Sequence, residues 1–414
     1  MGRGDGASTI VNGTWLAVGP KLHQGAVTPK YLVLTVIYAP PGTNGGHSSS
    51  SVSYSAGSTT GTTTSASQSF KQANSLSLEA SGGFLGNGGG AGLSFDWSHS
   101  STDTQSLDIK KSTTSTINRT GPSQDGINHD EDAIYLLLNP TINLDLSSSS
   151  ARWALANTRS PIQYVYVGWL NGHVKMPTNI SSALSMAGIS PSDYKDILAR
   201  DPLANGSNTL DSARFVPINT TFPYEPPYAS TDPVPTITTN ITDSSTQTVG
   251  SEVDDTYKVG LSVSTSGNYL DFAKASLKDT ASWEWTNKSS ISNSTGTVQT
   301  ASVTVGGPAF GYTGPTLMEL YIDTIYHTFA FAVVPVQAQE ASLKGAVVAS
   351  TGAHLASTEV ILTVNGIKHR TFTNSKGEYV FWGHAKGAAT VQAAGVTRHL
   401  SDLNATKTLT IQKR

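Results

Sequence analysis

One strand-turn-strand pattern occurs twice in this chain, and the rest of the fold has to be built round it. Residues 76–85 read Leu-Ser-Leu-Glu-Ala-Ser-Gly-Gly-Phe-Leu, and after a glycine-rich tip residues 93–97 read Leu-Ser-Phe-Asp-Trp. Residues 261–270 read Leu-Ser-Val-Ser-Thr-Ser-Gly-Asn-Tyr-Leu, and after a longer tip residues 281–285 read Ala-Ser-Trp-Glu-Trp. Leu76 and Leu261 lie 185 positions apart and Trp97 and Trp285 lie 188 apart, so the whole unit recurs with a small insertion at its tip. Apolar and polar residues alternate along both arms, the period of a β-strand with two unlike faces. Leu76, Leu78, Leu93, Phe95 and Trp97 mark the apolar face of the first hairpin; Leu261, Val263, Trp283 and Trp285 mark that of the second.

Hydroxyl-rich segments lead into and out of each hairpin, such as Ser48 to Ser51, Thr62 to Thr64 and Thr236 to Ser251. With β-branched Thr frequent and little net charge, long polar strands are expected rather than disorder. The two excursions span about residues 46–117 and 236–305 and start and end on apolar strands: Tyr31 to Tyr38, Ala133 to Asn139, Gln163 to Leu170, Ala301 to Val305 and Leu317 to Val334. Near-continuous apolar strands are covered on both faces, so they belong to a central sheet. One helix is expected, with Ser190 as N-cap, Pro191 at the first position and a stripe of Tyr194, Ile197 and Leu198. The Pro-rich residues 217–235 read as a connector. The expected fold is therefore mainly β: a large antiparallel sheet with two long amphipathic hairpins and one short helix in residues 1–335, followed by a C-terminal β-sandwich over 342–414.

That last unit has its own signature. Short strands alternate with Gly and Asn turns, and Thr373, Asn374, Gly377, Tyr379 and Phe381 fall in the spacing Thr-Asn-x-x-Gly-x-Tyr-x-Phe. In this, about the last 70 residues resemble the carboxypeptidase regulatory-like domain family. The resemblance implies a small transthyretin-like sandwich with no catalytic residues of its own, of the kind found as stalk, adhesive or targeting units in secreted bacterial proteins.

Composition narrows the function. Charged residues make up only 13% of the chain while Ser and Thr supply roughly a quarter, so hydroxyls rather than ions keep it soluble. A net charge of −3 and the absence of any Lys/Arg cluster argue against nucleic acid as a partner. There is no cysteine, hence no disulfide framework or thiolate chemistry. An extracellular or cell-surface location is inferred from this balance, although the first residues do not read as a signal peptide. No phosphate loop, Gly-x-Ser-x-Gly elbow or HExxH spacing is present, and the expectation is a protein that is not an enzyme and carries no cofactor. One weak cation site stands out: Asp125, Asn128, Asp130 and Asp132 alternate in an acidic loop and could offer oxygen ligands to calcium.

Three functions fit the hairpins. The leading one is a secreted bacterial structural, adhesive or binding protein, whose amphipathic strands form a soluble core and whose partners are copies of itself or a cell-surface polymer. The second is a β-pore-forming protein that inserts both hairpins into a membrane, with the Trp residues near an interface and Ser, Thr, Asp96 and Glu284 facing a lumen. In layout residues 1–335 resemble β-pore-forming toxins, with two excursions from a central sheet as in membrane-attack-complex and cholesterol-dependent cytolysin proteins and Ser/Thr-rich arms as in aerolysins; no motif of those families is matched. The third is a secreted glycoside-active enzyme, whose carboxylates would be paired only in space.

Overall fold

The chain is described here from a computed structural model covering residues 8–11, 14–17, 24–27, 30–44, 50–54, 59–65, 104–111, 117–140, 142–145, 152–155, 162–207, 209–243, 255–259, 283–288, 299–323, 326, 328–334, 341–382, 387–403 and 407–413. In chain order its first strands are β1 (Ser8–Val11), β2 (Thr14–Ala17), β3 (Gln24–Val27), β4 (Tyr31–Ile37), β5 (Ser51–Tyr54), β6 (Thr59–Ser65), β7 (Thr104–Lys111), β8 (Ile117–Thr120), β9 (Ala133–Leu138), β10 (Ile142–Asp145), β11 (Arg152–Leu155) and β12 (Ile162–Tyr166). Three helices follow: α1 (Val167–Asn171), α2 (Thr178–Met186) and α3 (Pro191–Leu198). The body is completed by β13 (Phe215–Pro223), β14 (Thr236–Asp243), β15 (Asp255–Val259), β16 (Trp283–Lys288), β17 (Gln299–Gly306), β18 (Leu317–Asp323) and β19 (Phe329–Val333). The last strands are β20 (Ala341–Val348), β21 (Glu359–Val364), β22 (Ile367–Phe372), β23 (Glu378–Trp382), β24 (Ala389–Ala393), β25 (Val396–Leu400) and β26 (Lys407–Gln412). The fold is mainly β.

A three-stranded antiparallel sheet, β12-β9-β4, divides the body into two cores. Along β9, Ala133 and Leu137 enter one core while Ile134, Leu136 and Leu138 enter the other, which is why the strand carries no alternation. The second core is roofed by the helices through Ile180, Leu184 and Ile197. Of these helices α3 is the expected one: Ser190 and Asp193 form a capping box, Pro191 sits in the first turn, and Asp193 pairs with Lys30 at 3.0 Å. Burial opposes ionisation of Asp193, but the Ser190 N–H and Lys30 outweigh it and hold the carboxyl below its ordinary range.

Three sequence expectations about the body's elements are corrected. The apolar run Gln163 to Leu170 is not one strand: it turns into α1 at Val167, and Gly168 is required there because a Cβ would stand 2.9 Å from that of Asp130. With α2 the body has three helices, not one, among the described residues. Leu317 to Val334 is likewise two paired strands, β18 and β19, since Asp323 ends β18 with its carboxylate buried in ion-pair and hydrogen-bond contacts.

The C-terminal residues form two sheets with their own apolar core, including Leu343, Val360, Leu362, Phe381, Val391 and Ile411. One sheet, β23-β20-β26, stands alone; the other, β22-β21-β24-β25, continues into β13, β18 and β19 of the body through a parallel contact at Thr220 and Arg370. The signature residues serve the turn and the core. Thr373 accepts from the Thr358 N–H and donates to the Leu355 carbonyl. Asn374 accepts from the N–H groups of Lys376 and Glu378, Gly377 takes a left-handed φ of 72°, and the Tyr379 hydroxyl donates to the Leu409 carbonyl.

Candidate functional site

Both excursions leave and rejoin the body on one four-stranded antiparallel sheet, ordered β14-β17-β5-β8. The ends of the first excursion pair with each other, as do those of the second, and β17 joins them to β5 with Val303 opposite Val52. Alternation then decides the faces: Val52, Tyr54, Ile117, Ile237, Ile241, Ala301, Val303 and Val305 are sealed in the first core. The other face carries Ser53, Asn118, Thr238, Asn240 and Thr304, exposed or half-buried, with hydroxyl and amide contacts running across it such as Thr238 to Thr304 at 3.0 Å and Ser53 to Asn118 at 3.0 Å. This sheet has one dry side and one wet side.

Farther along the excursions a second four-stranded antiparallel sheet, β15-β16-β7-β6, contains strands of both. Register sets Tyr257, Trp285 and Ile109 in one row and Val259, Trp283 and Lys111 in the next, so these residues share a face. The opposite face has the rows Lys258, Glu284, Lys110 and Thr256, Thr286, Asp108. Trp283 and Trp285 thus share a face by register with Tyr257, Val259 and Ile109, and the same face carries the row Asp255, Asn287 and Leu107. Leu76, Leu78, Leu93, Phe95, Trp97, Leu261 and Val263 lie outside the described residues.

The acidic loop is organised differently from a cation site. Asp125 Oδ1 accepts the Asn44 and Ala309 N–H groups at 2.8 Å each, tying three loops at the foot of the excursions. Beside it the Tyr224 hydroxyl takes the Gly126 N–H at 2.6 Å, and Gly42 has no room for a Cβ, which would stand 2.1 Å from the Gln124 carbonyl oxygen. Asn128 caps a 3-10 turn at His129–Glu131. Asp130 faces His173 at 2.8 Å, while Asp132 accepts the Ala39 N–H at 2.7 Å and meets His129 Nδ1 at 2.8 Å. The four side chains are committed to separate partners, and among the described residues no group of three or more His, Asp or Glu is placed to hold a metal ion.

Asp132 instead belongs to a buried polar cluster that no sequence spacing announced. Asp201, just past α3, lies close enough to feel the Asp132 charge; its Oδ1 accepts the Leu203 N–H at 2.9 Å, and its Oδ2 is buried without a hydrogen-bond partner among the described residues. Burial first, and the Asp132 charge second, push the Asp201 carboxyl well above the usual carboxylate range. Next to them Arg214 pairs with Asp323 at 2.8 Å, and Tyr38 donates to Asp323 at 2.7 Å. Burial opposes the Arg214 charge, but Asp323 and Tyr38 outweigh it. The members sit just past β4, just before β9, just past α3, just before β13 and at the end of β18, so the cluster bolts the helical roof to the sheets. Their wide separation in sequence hid them; the available signal was a charged residue abutting an apolar strand, as Arg214 abuts Phe215.

No family model and no curated protein matches the chain. Two solved structures do: a single-substitution variant of BcpA, the major pilin subunit of Bacillus cereus, at 8% identity and a TM-score of 0.14, and BcpA itself at 13% identity and a TM-score of 0.14. The matches cover 33% and 42% of this chain and 49% and 58% of the pilin chains, so the chain spans about half the length of the structures it matches.

Proposed function

We propose that this is a secreted or cell-surface β protein with a structural, adhesive or binding role that it performs through its paired excursions, without catalysis. The observation that carries this reading is the sheet β14-β17-β5-β8, in which both excursions are rooted side by side with their apolar face sealed in the body and their hydroxyl face in solvent. A two-faced sheet of this kind is what a soluble, elongated β scaffold needs. Residues 342–414 are proposed to be a carboxypeptidase regulatory-like module: their two-sheet layout and the turn and core roles of Thr373, Asn374, Gly377, Tyr379 and Phe381 support it.

A second reading, insertion of both excursions into a membrane, is favoured by one specific feature: register gathers Tyr257, Val259, Trp283, Trp285 and Ile109 on one face of a sheet whose other face is polar. Among the described residues no helix is long and apolar enough to cross a membrane, so any crossing would be made by strands. Dye-loaded phosphatidylcholine–cholesterol vesicles separate the readings. Intact vesicles, with protein that remains monomeric or forms filaments, support the scaffold. Leakage accompanied by a membrane-bound oligomer supports insertion.

A further inference from the structure

Between the body and the C-terminal sandwich lies a groove of about 960 Å³, open to solvent on one side. Its walls are the end of β13 with Glu225, the start of β18, and the strands β20, β22, β23 and β26. The walls are fixed to each other: Phe222 stacks on Phe372 with centroids 5.2 Å apart, and Thr221 bonds Thr371 at 2.9 Å. The groove is therefore preformed, and its volume is that of a ligand site.

Its polar groups are oriented. Asn374 has its Oδ1 occupied by the N–H groups of Lys376 and Glu378, at 3.0 and 2.9 Å, which fixes the amide. Its Nδ2 then faces two carboxylates, Glu225 from the body at 3.2 Å and Glu378 from the sandwich at 3.4 Å, and holds them together across the groove. On the β26 side Thr408 and Thr410 add two hydroxyls, spaced by two strand residues or about 6.6 Å. Trp382 stands half-buried in the wall, and its Nε1 is buried without a hydrogen-bond partner among the described residues.

This chemistry selects a ligand. Two carboxylates against the single ammonium of Lys344 disfavour phosphates and other anions. Carboxylates accept paired hydroxyls, threonines both donate and accept, and an indole ring covers an apolar ring face. A sugar offers all three complements, and a groove open along one side takes a chain of them. We propose that this groove binds a neutral oligosaccharide, with Glu225 and Glu378 accepting its hydroxyls and Trp382 packing on a ring face. The proposal does not depend on whether the excursions act as scaffold or enter a membrane.

Titration of the full chain, with its tryptophans labelled at the indole nitrogen, by cellohexaose, maltohexaose and laminarihexaose tests it, the Trp382 resonance being assigned from Trp382→Phe. At least one of the three should shift that resonance saturably. In the double variant Glu225→Gln with Glu378→Gln its affinity should fall about tenfold, because two charge-assisted hydrogen bonds become neutral ones, with the melting temperature unchanged. No shift with any of the three, or unaltered affinity in the double variant, overturns the proposal. So does a shift produced only by a Ser/Thr-rich peptide copying residues 58–65, which would make the groove a strand-capturing site.

Discussion

The sheet at the foot of the excursions and the sheet farther along them are both two-faced by register but differ in the residues that make up their faces. At the foot, Val52, Val303 and Val305 are between 0% and 1% exposed, and the residues opposite them are hydroxyls and amides. Farther out the rows Tyr257–Trp285–Ile109 and Val259–Trp283–Lys111 carry larger, aromatic residues, and the polar side gains Glu284, Lys258 and Lys110. Aliphatic residues of moderate size suit a packed core, whereas Trp and Tyr suit a boundary where one end is dry and the other wet. Alternation alone therefore specifies a two-faced sheet and leaves its use open; residue size and charge separate the two regions.

The largest effect should come from breaking the sealed side. Val303→Asp places a charge at the centre of the first core with no partner, which costs about 3–5 kcal/mol or more and is enough to unfold a domain of ordinary stability. Urea denaturation should show either no cooperative transition or a midpoint far below that of the native chain. A mild loss would mean that this face is not a core and would erase the contrast between the two sheets.

Next comes the sandwich's share in that same core. Phe372 belongs to β22 yet packs in the body's first core against Phe222. Phe372→Ala should cost about 3–5 kcal/mol, and both body and sandwich should feel it. If calorimetry shows only the sandwich melting earlier, the foot sheet is sealed by the body alone.

The second core offers a pH test. Because Asp201 is raised above its unfolded value, its folded form binds a proton more tightly than the unfolded chain does. Its contribution is thus fully present below the unfolded pKa near 4 and is lost as pH rises through the folded value. Asp201→Asn keeps a donor for Asp132 without the titration, so its melting temperature relative to the native chain should rise between pH 4 and pH 8. A difference that is flat or falls with pH would show that the folded chain does not hold the Asp201 proton more tightly than the unfolded chain.

What the residues disclosed before any coordinates follows physical range. Period-two and doubly apolar strands are local patterns, so β4, β9, the rooted excursions and the two-sheet C-terminal unit could be anticipated; so could α3, whose Ser190, Pro191 and Asp193 signals sit within one turn. Helix α2 hid because its residues, Thr-Asn-Ile-Ser-Ser-Ala-Leu-Ser-Met, are hydroxyl-rich and its N-cap is Pro177, which offers no side-chain cap. Helix α1 hid inside an apolar run whose change of conformation depends on the approach of Asp130 to Gly168, a contact 38 residues away in sequence. The acidic loop looked like a ligand set because one-dimensional spacing does not say where N–H groups will stand, and Asp125 and Asp132 were taken by backbone donors of residues 39, 44 and 309. The pairing of one excursion with the other is a long-range choice, invisible to a pattern that repeats every two residues.

The smallest effect on stability, and the sharpest test of the comparison, lies in the outer sheet. Trp97→Asp combined with Trp285→Asp changes one described strand, β16, and one position outside the described residues. An outer face that stands apart from the body's cores predicts that the body's stability changes by no more than about 0.5 kcal/mol, the range of substitutions away from packed features. A loss of several kcal/mol would mean that the outer apolar face is also a sealed core and that the two sheets differ only in residue size. With the body intact, vesicles then decide what that face is for: leakage seen with the native chain and abolished by the pair of aspartates would place it against lipid, because a carboxylate at a lipid-facing strand position is costly to bury. Native and variant chains that both leave vesicles intact would place it within a soluble scaffold, where Tyr257, Trp285 and Ile109 act as one cross-strand row.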